Sequence, residues 1–224
     1  MKLLLDTANL EDIKEGMEYY PMIGVTTNPS ILAKSGEPIF DHLRKIRQII
    51  GRDKLLFAQV MGETYEEMMA DAKRMVEEVD EDLHIKVPMT QEGLKAIKAM
   101  KAQGYKVLAT AVFSAQQAML AGAAGADFVA PYISRMMQAG MDAYAIIEEI
   151  AIAYEEHSIE TKIIAASFKH SVQVEKCILA GSPYITATLP IYKQMLAEPL
   201  TDVAVKGFQS DWQNAFDGVL PHKM

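Results

Sequence analysis

Short apolar runs, many of them β-branched, recur along the chain and are separated by longer stretches with helical periodicity. The short runs fall at Leu3–Leu5, Ile23–Val25, Leu55–Met61, Leu83–Val87, Lys106–Ala111, Phe128–Ala130, Lys162–Ala166 and Tyr184–Ala187. Between them, Thr64–Val79 carries Met68, Met69, Ala72, Met75, Val76 and Val79 at helical spacing, and Gln91–Ala102 does the same with Leu94, Ile97, Ala99 and Met100. Pro190–Ala197 and Asp202–Phe216 supply helical material after the last run. Eight alternations of strand and helix predict an α/β fold, a single (β/α)8 TIM barrel with an extra C-terminal helix, rather than a sandwich or a bundle. A doubly wound sheet is the alternative, but it usually announces itself with a glycine-rich turn after the first strand. Here that strand runs into Asp6-Thr7-Ala8-Asn9, without glycine. No Pro/Gly/Ser-rich linker divides the chain, so residues 1–224 read as one barrel domain. Within it, residues 201–216 read as a helix packed on the barrel or on a neighbouring subunit.

Polar residues fall where these strands end: Asp6, Thr26-Thr27-Asn28, Gln59, Lys86, Thr110, Tyr132, Ser167 and Thr188. From Asp6 to Asn28, Gln59, Lys86 and Thr110, the intervals are close to the ~30 residues of a βαβ unit. In a parallel barrel the C-terminal strand ends open on one face, so residues distant in sequence would converge on one pocket.

Lys86 is the most informative of them. It sits in His84-Ile85-Lys86-Val87-Pro88, inside a predicted central strand. A buried ammonium is costly unless it is paired or loses its proton, and a neutral lysine adds readily to a carbonyl to form an imine. The plainer alternative is a lysine whose stem packs while its amine reaches water. Asp6 could cap the following helix, although Thr7 or Asn9 could do that equally well. Gly24-Val25-Thr26-Thr27-Asn28-Pro29-Ser30 could likewise be a turn and helix start, a reading that suits Thr26 and Ser30 better than Asn28. Gln59 and Thr110 interrupt apolar runs; each could satisfy a core backbone group, whereas two on neighbouring strands suggest a held water.

Composition narrows the partners. Hydrophobic residues make up 50% of the chain, enough for a large core. Charged residues make up 23%, with a formal net charge of −8. That balance argues against binding nucleic acid or an anionic membrane, while leaving room for a phosphorylated metabolite held by a few converging donors. The only cysteine, Cys177, rules out an intrachain disulfide, fits a reducing compartment and reads as inert core. The apolar run at the N-terminus is too short for a signal peptide or a membrane span, so a cytoplasmic protein is expected. The five histidines, His42, His84, His157, His170 and His222, show no metal-ligand spacing, and neither a metal nor a cofactor is expected. Gly122-Ala123-Ala124-Gly125 lacks the context of a nucleotide loop and reads as tight packing. Glu77–Asp82 reads as a solvated helix end and loop, and most of the 15 methionines as core filler.

Leu5-Asp6-Thr7-Ala8, Gly24-Val25-Thr26-Thr27-Asn28-Pro29-Ser30, Ile85-Lys86-Val87-Pro88 and Ala165-Ala166-Ser167 together resemble the transaldolase superfamily of class I aldolases, in order and from Met1 to about Phe216. Phe57-Ala58-Gln59-Val60, Ala130-Pro131-Tyr132 and Ala166-Ser167-Phe168-Lys169 resemble its fructose-6-phosphate aldolase branch. True transaldolases generally have glutamate at the Gln59 position, and short transaldolases have phenylalanine for Tyr132 and arginine for Lys169. The resemblance implies reversible cleavage of fructose 6-phosphate, or a close analogue, to dihydroxyacetone and glyceraldehyde 3-phosphate. Transfer of the same three-carbon unit between sugar phosphates is the alternative, and a non-catalytic sugar-phosphate-binding barrel a more distant one.

The resemblance also implies roles. Lys86 would form the Schiff base, and Gln59, Thr110 and Tyr132 would position a proton-moving water. Asp6 would meet substrate hydroxyls and assist proton transfer, and Thr26 would help line the site. Asn28 and Ser167 would hold the terminal hydroxyl of the hydroxyketone donor. Arg135 and Lys169 would meet the acceptor's phosphate. A ring-like homo-oligomer, pentamer or decamer, is implied with them. The stretch Met136–Met141 departs from the family's usual aspartate and glycine pair, and is expected to border the acceptor side as a loop.

Overall fold

Alternation within each strand decides which side chains face the barrel axis and which face the helices. The computed structural model describes every residue from Met1 to Met224. Its strands are β1 (Lys2–Asp6), β2 (Met22–Thr26), β3 (Leu55–Gln59), β4 (His84–Pro88), β5 (Lys106–Val112), β6 (Phe128–Pro131), β7 (Lys162–Ala165) and β8 (Tyr184–Ala187). They are parallel, follow one another in sequence order, and close when β8 pairs with β1, Leu4 opposite Thr186. This is the (β/α)8 barrel that the strand rhythm predicts. Around it run α1 (Leu10–Tyr19), α2 (Pro29–Ala33), α3 (Ile39–Ile50), α4 (Tyr65–Glu78), α5 (Gln91–Ala102), α6 (Ala115–Ala123), α7 (Ile133–Gln138), α8 (Ala143–Glu156), α9 (Ser171–Leu179) and α10 (Leu189–Leu196). The extra C-terminal helix, α11 (Pro199–Phe216), begins earlier than its apolar pattern suggests, with Pro199 in its first turn and the Glu198 side chain accepting from Leu200 N. No helix is long and apolar enough to cross a membrane.

The turn from strand to helix is encoded locally. Asn9 accepts from the backbone N–H groups of Glu11 and Asp12 and caps α1, so Asp6 is free of that task. Thr64 and Glu67 form a reciprocal capping box on α4, and Thr90 caps α5 through Gly93 N. At Gly93 a Cβ would lie 1.9 Å from the carbonyl oxygen of Pro88, so only glycine lets α5 rest on the end of the lysine-bearing strand. Gly122 is packed in the same sense, since a Cβ there would meet Ile159 at 2.7 Å.

Two apolar cores result. The larger, 46 buried residues, lies between strands and helices and carries most of the burial. The smaller, seven residues including Leu4, Phe57, Leu108, Phe128 and Ile164, fills the barrel axis. Its N-terminal end is closed by aromatic packing: His84 lies 4.6 Å from Phe57 and 5.6 Å from Phe128, and Phe128 lies 5.3 Å from Tyr184. Burial lowers the His84 pKa to about 4, so this imidazole is a neutral filler.

The acidic run differs from its solvated reading. Asp80 is buried, and its Oδ2 accepts from Arg47 Nε at 2.7 Å. The other Arg47 donors go to the carbonyls of Gly51 and Lys54, apart from one orphaned amino group. An arginine brought in by α3 and folded under the loop before β4 needs that carboxylate, a requirement the local charge pattern does not show.

Candidate active site at the C-terminal end of the barrel

Along most strands, the residue two positions beyond an axis-filling side chain points to the C-terminal end of the barrel. Leu4 leads to Asp6, Phe57 to Gln59, His84 to Lys86, Leu108 to Thr110, Ala130 to Tyr132 and Tyr184 to Thr186. All of them but Thr110 line a cavity of about 520 Å³. Nine of the ten sequence-predicted site residues line it: Asp6, Thr26, Asn28, Gln59, Lys86, Tyr132, Arg135, Ser167 and Lys169. Thr110 is fully buried and reaches the cavity only through Tyr132, whose hydroxyl lies 2.9 Å from its Oγ1. Gln59 and Thr110 stand on β3 and β5, with β4 and its lysine between them, and so are not on neighbouring strands. Their pairing across Lys86 follows from barrel order, which spacing alone does not give.

Lys86 is 5% exposed, and its Nζ donates to the Thr27 carbonyl at 2.8 Å. It makes no ion pair, although Asp6 belongs to the same cavity. Burial pushes the lysine below its ordinary pKa, and the nearby Asp6 carboxylate resists that shift. Asp6 shows the mirror image: burial raises its carboxyl, while Lys86 and a 2.8 Å hydrogen bond from Thr26 Oγ1 lower it. The residue retains some exposed surface, but the surrounding pocket wall still desolvates the charge. Each shift enlarges the uncharged fraction: an amine able to attack a carbonyl and a carboxyl able to hold a proton.

The rim supplies the positive charge. Lys34, Arg135 and Lys169 line the outer cavity, none paired with a carboxylate, and Asp6 is the only acidic residue in the lining. The Arg135 guanidinium lies 5.1 Å from the centre of the Tyr132 ring, which Phe113 meets edge-on at 5.7 Å. Gln173 Oε1 accepts from Ser134 Oγ and from the backbone N–H groups of Lys169 and His170, tying the segment after β7 to α7. Of the four non-glycine residues with positive φ, two, Ala111 (55°) and Ser167 (65°), line the cavity. Backbone strain is therefore placed at the site. The Gln59 amide makes no hydrogen bond to protein and is free to meet a ligand or water.

Two expectations change. Asn28 caps α2, its Oδ1 accepting from Ile31 N, so its amide N–H group is what remains for a ligand. Met136–Met141 does not border the cavity as a loop. Met136 and Met137 belong to α7, Met136 is fully buried, and of this region only Arg135 reaches the lining. Sequence reasoning passed over Lys34, Thr186 and the Thr27 carbonyl. A backbone oxygen carries no residue signal, and a threonine in a strand is unremarkable.

One family model, described as Transaldolase/Fructose-6-phosphate aldolase, matches residues 3–220, a span holding every strand end and all of the cavity lining. With the match extending over nearly the whole barrel, the chain belongs to the transaldolase/fructose-6-phosphate aldolase family.

Proposed function

We propose that this chain is a Schiff-base aldolase that reversibly cleaves fructose 6-phosphate, or a close analogue, to dihydroxyacetone and glyceraldehyde 3-phosphate. The observation that carries the reading is Lys86, a buried, unpaired amine in the lining of a polar cavity, with its pKa held down by burial. The amine adds to the ketone carbon and loses water to give an iminium ion. The C3–C4 bond then breaks as the C4 hydroxyl gives up its proton, so C4 leaves as the aldehyde and the electron pair enters the iminium as an enamine. Protonation at C3 restores the iminium, and water releases dihydroxyacetone and the free lysine.

Proton transfer falls to Tyr132, backed by Thr110, with Gln59 on the other side of the Lys86 strand holding the water that moves the proton. Asp6 meets substrate hydroxyls and shares in proton transfer, with Thr26 supporting it. Asn28 and Ser167 hold the donor's terminal hydroxyl. Arg135 and Lys169 take the phosphate, which suits a rim of unpaired cations on a chain whose net charge is −8. Gln59, where true transaldolases generally have glutamate, and Tyr132, where short transaldolases usually have phenylalanine, favour cleavage over transfer.

The test is borohydride trapping with dihydroxyacetone, read by intact and peptide mass spectrometry, with Lys86→Met alongside. The expected result is a reduced three-carbon adduct on the peptide bearing Lys86 and none in the variant. Folded wild-type protein that yields no adduct with any hydroxyketone would remove the aldolase reading.

A further inference from the structure

A chain of hydroxyl groups runs beneath Asp6. Thr186, on β8 and 3% exposed, has its Oγ1 2.6 Å from Thr26 Oγ1, and Thr26 Oγ1 lies 2.8 Å from Asp6 Oδ1. Because β1 stands between β8 and β2, the three strands contribute one side chain each. A hydroxyl has one proton to donate, and an ionised carboxylate has none. With Asp6 ionised, Thr26 donates to it and Thr186 donates to Thr26, so every proton has an acceptor. The reverse order would run from a protonated Asp6 to Thr26 and on to Thr186. It would leave the Thr186 proton without a protein acceptor, because this hydroxyl makes no second bond to protein.

We infer that Thr186 is a positioning residue, orienting the Thr26 hydroxyl toward Asp6 and so favouring the Asp6 carboxylate. This deepens the aldolase reading, on which it rests for its catalytic meaning: it keeps Asp6 ready to accept a proton despite burial. The other groups that bear on Asp6 are few. Lys86 on β4 acts in the same direction as the hydroxyl chain. Tyr192 on α10 is held neutral and donates to the Leu4 carbonyl at 2.7 Å. Lys34, Arg135 and Lys169 lie farther out in the same cavity and favour the same charged form. Burial is the opposing influence.

Thr186→Val keeps the side-chain shape and removes the donor; Thr186→Ser keeps the donor. If the second methyl group of valine crowds the site, Thr186→Ala makes the same deletion. The readout is infrared difference spectroscopy across pH, with the Asp6 carboxyl band identified by its loss in Asp6→Asn. The expected result is an Asp6 midpoint raised by roughly half a unit to one unit in Thr186→Val, and returned to within a few tenths in Thr186→Ser. A midpoint unchanged in Thr186→Val overturns the inference, as does an equal rise in Val and Ser. Trapping with dihydroxyacetone over the same pH range tests the underlying reading separately. If the midpoint shifts but wild type forms no adduct, the hydroxyl chain stands and the aldolase reading falls.

Discussion

Burial acts on His84 and Lys86 in the same direction, two residues apart on one strand, and the two respond to different ends. Lys86 meets the cavity, where a neutral amine is a nucleophile; His84 meets Phe57 and Phe128, where a neutral imidazole is packing. The histidine therefore ties stability to pH. Its folded pKa of about 4 lies below its ordinary 6.5, so the unfolded chain binds the proton more tightly. Its contribution is complete above about pH 6.5 and is lost as pH falls toward 4. Between pH 7 and pH 5 the lost stability amounts to about 2 kcal/mol. Urea unfolding at those two values should show this fall in wild type and most of it absent in His84→Gln. An equal fall in both proteins would assign the acid sensitivity elsewhere. Lys86 and Asp6 were legible in the sequence because a charge inside an apolar strand demands a reason. Thr186 was not, because Tyr184-Ile185-Thr186-Ala187 is what an ordinary strand looks like, and its meaning arises only from which strands become neighbours.

The elements themselves were legible for a related reason. Each strand and its following helix announce themselves through period and cap, and tertiary contacts reinforce those preferences without overriding them. Where an element must reach beyond its neighbours in sequence, the pattern goes silent. Arg47 leaves α3 to meet Asp80 in the loop before β4, 8% and 3% exposed, within a run of acids that reads as solvent-facing. Asp80 also accepts from Asp82 N, so one carboxylate neutralises the arginine and shapes the loop leading to the lysine strand. Asp80→Asn leaves the guanidinium buried without a counter-charge and should cost about 3 kcal/mol in chemical denaturation. Asp82→Asn removes a carboxylate whose partner Lys106 is also solvent-accessible, and should cost less than about 1 kcal/mol. Similar losses from the two variants would show that burial of the Arg47–Asp80 pair carries no special weight.

At the scale of the whole molecule, α11 is the element the barrel does not use. It has no buried residue, while Leu200, Val203 and Phe208 are 75%, 66% and 70% exposed. The contacts of Trp212 are local, 4.5 Å to the Phe216 ring and a hydrogen bond from its indole N–H to the Val219 carbonyl. A helix of 18 residues gains little stability from propensity alone and needs its apolar face covered. Because the large core closes without α11, a cover supplied by another subunit agrees with the ring-like assembly that the sequence resemblance implies. Sequence could mark the face as apolar but not say what covers it, since exposure is a property of the folded chain. Truncation after Leu200 should therefore lower the assembly size on a sizing column with light scattering, while the barrel keeps its thermal unfolding at matched subunit concentration once dissociation is allowed for. A truncated chain of unchanged size would remove the inference that α11 meets a neighbouring subunit. A truncated chain that no longer folds would mean that α11 stabilises the barrel itself.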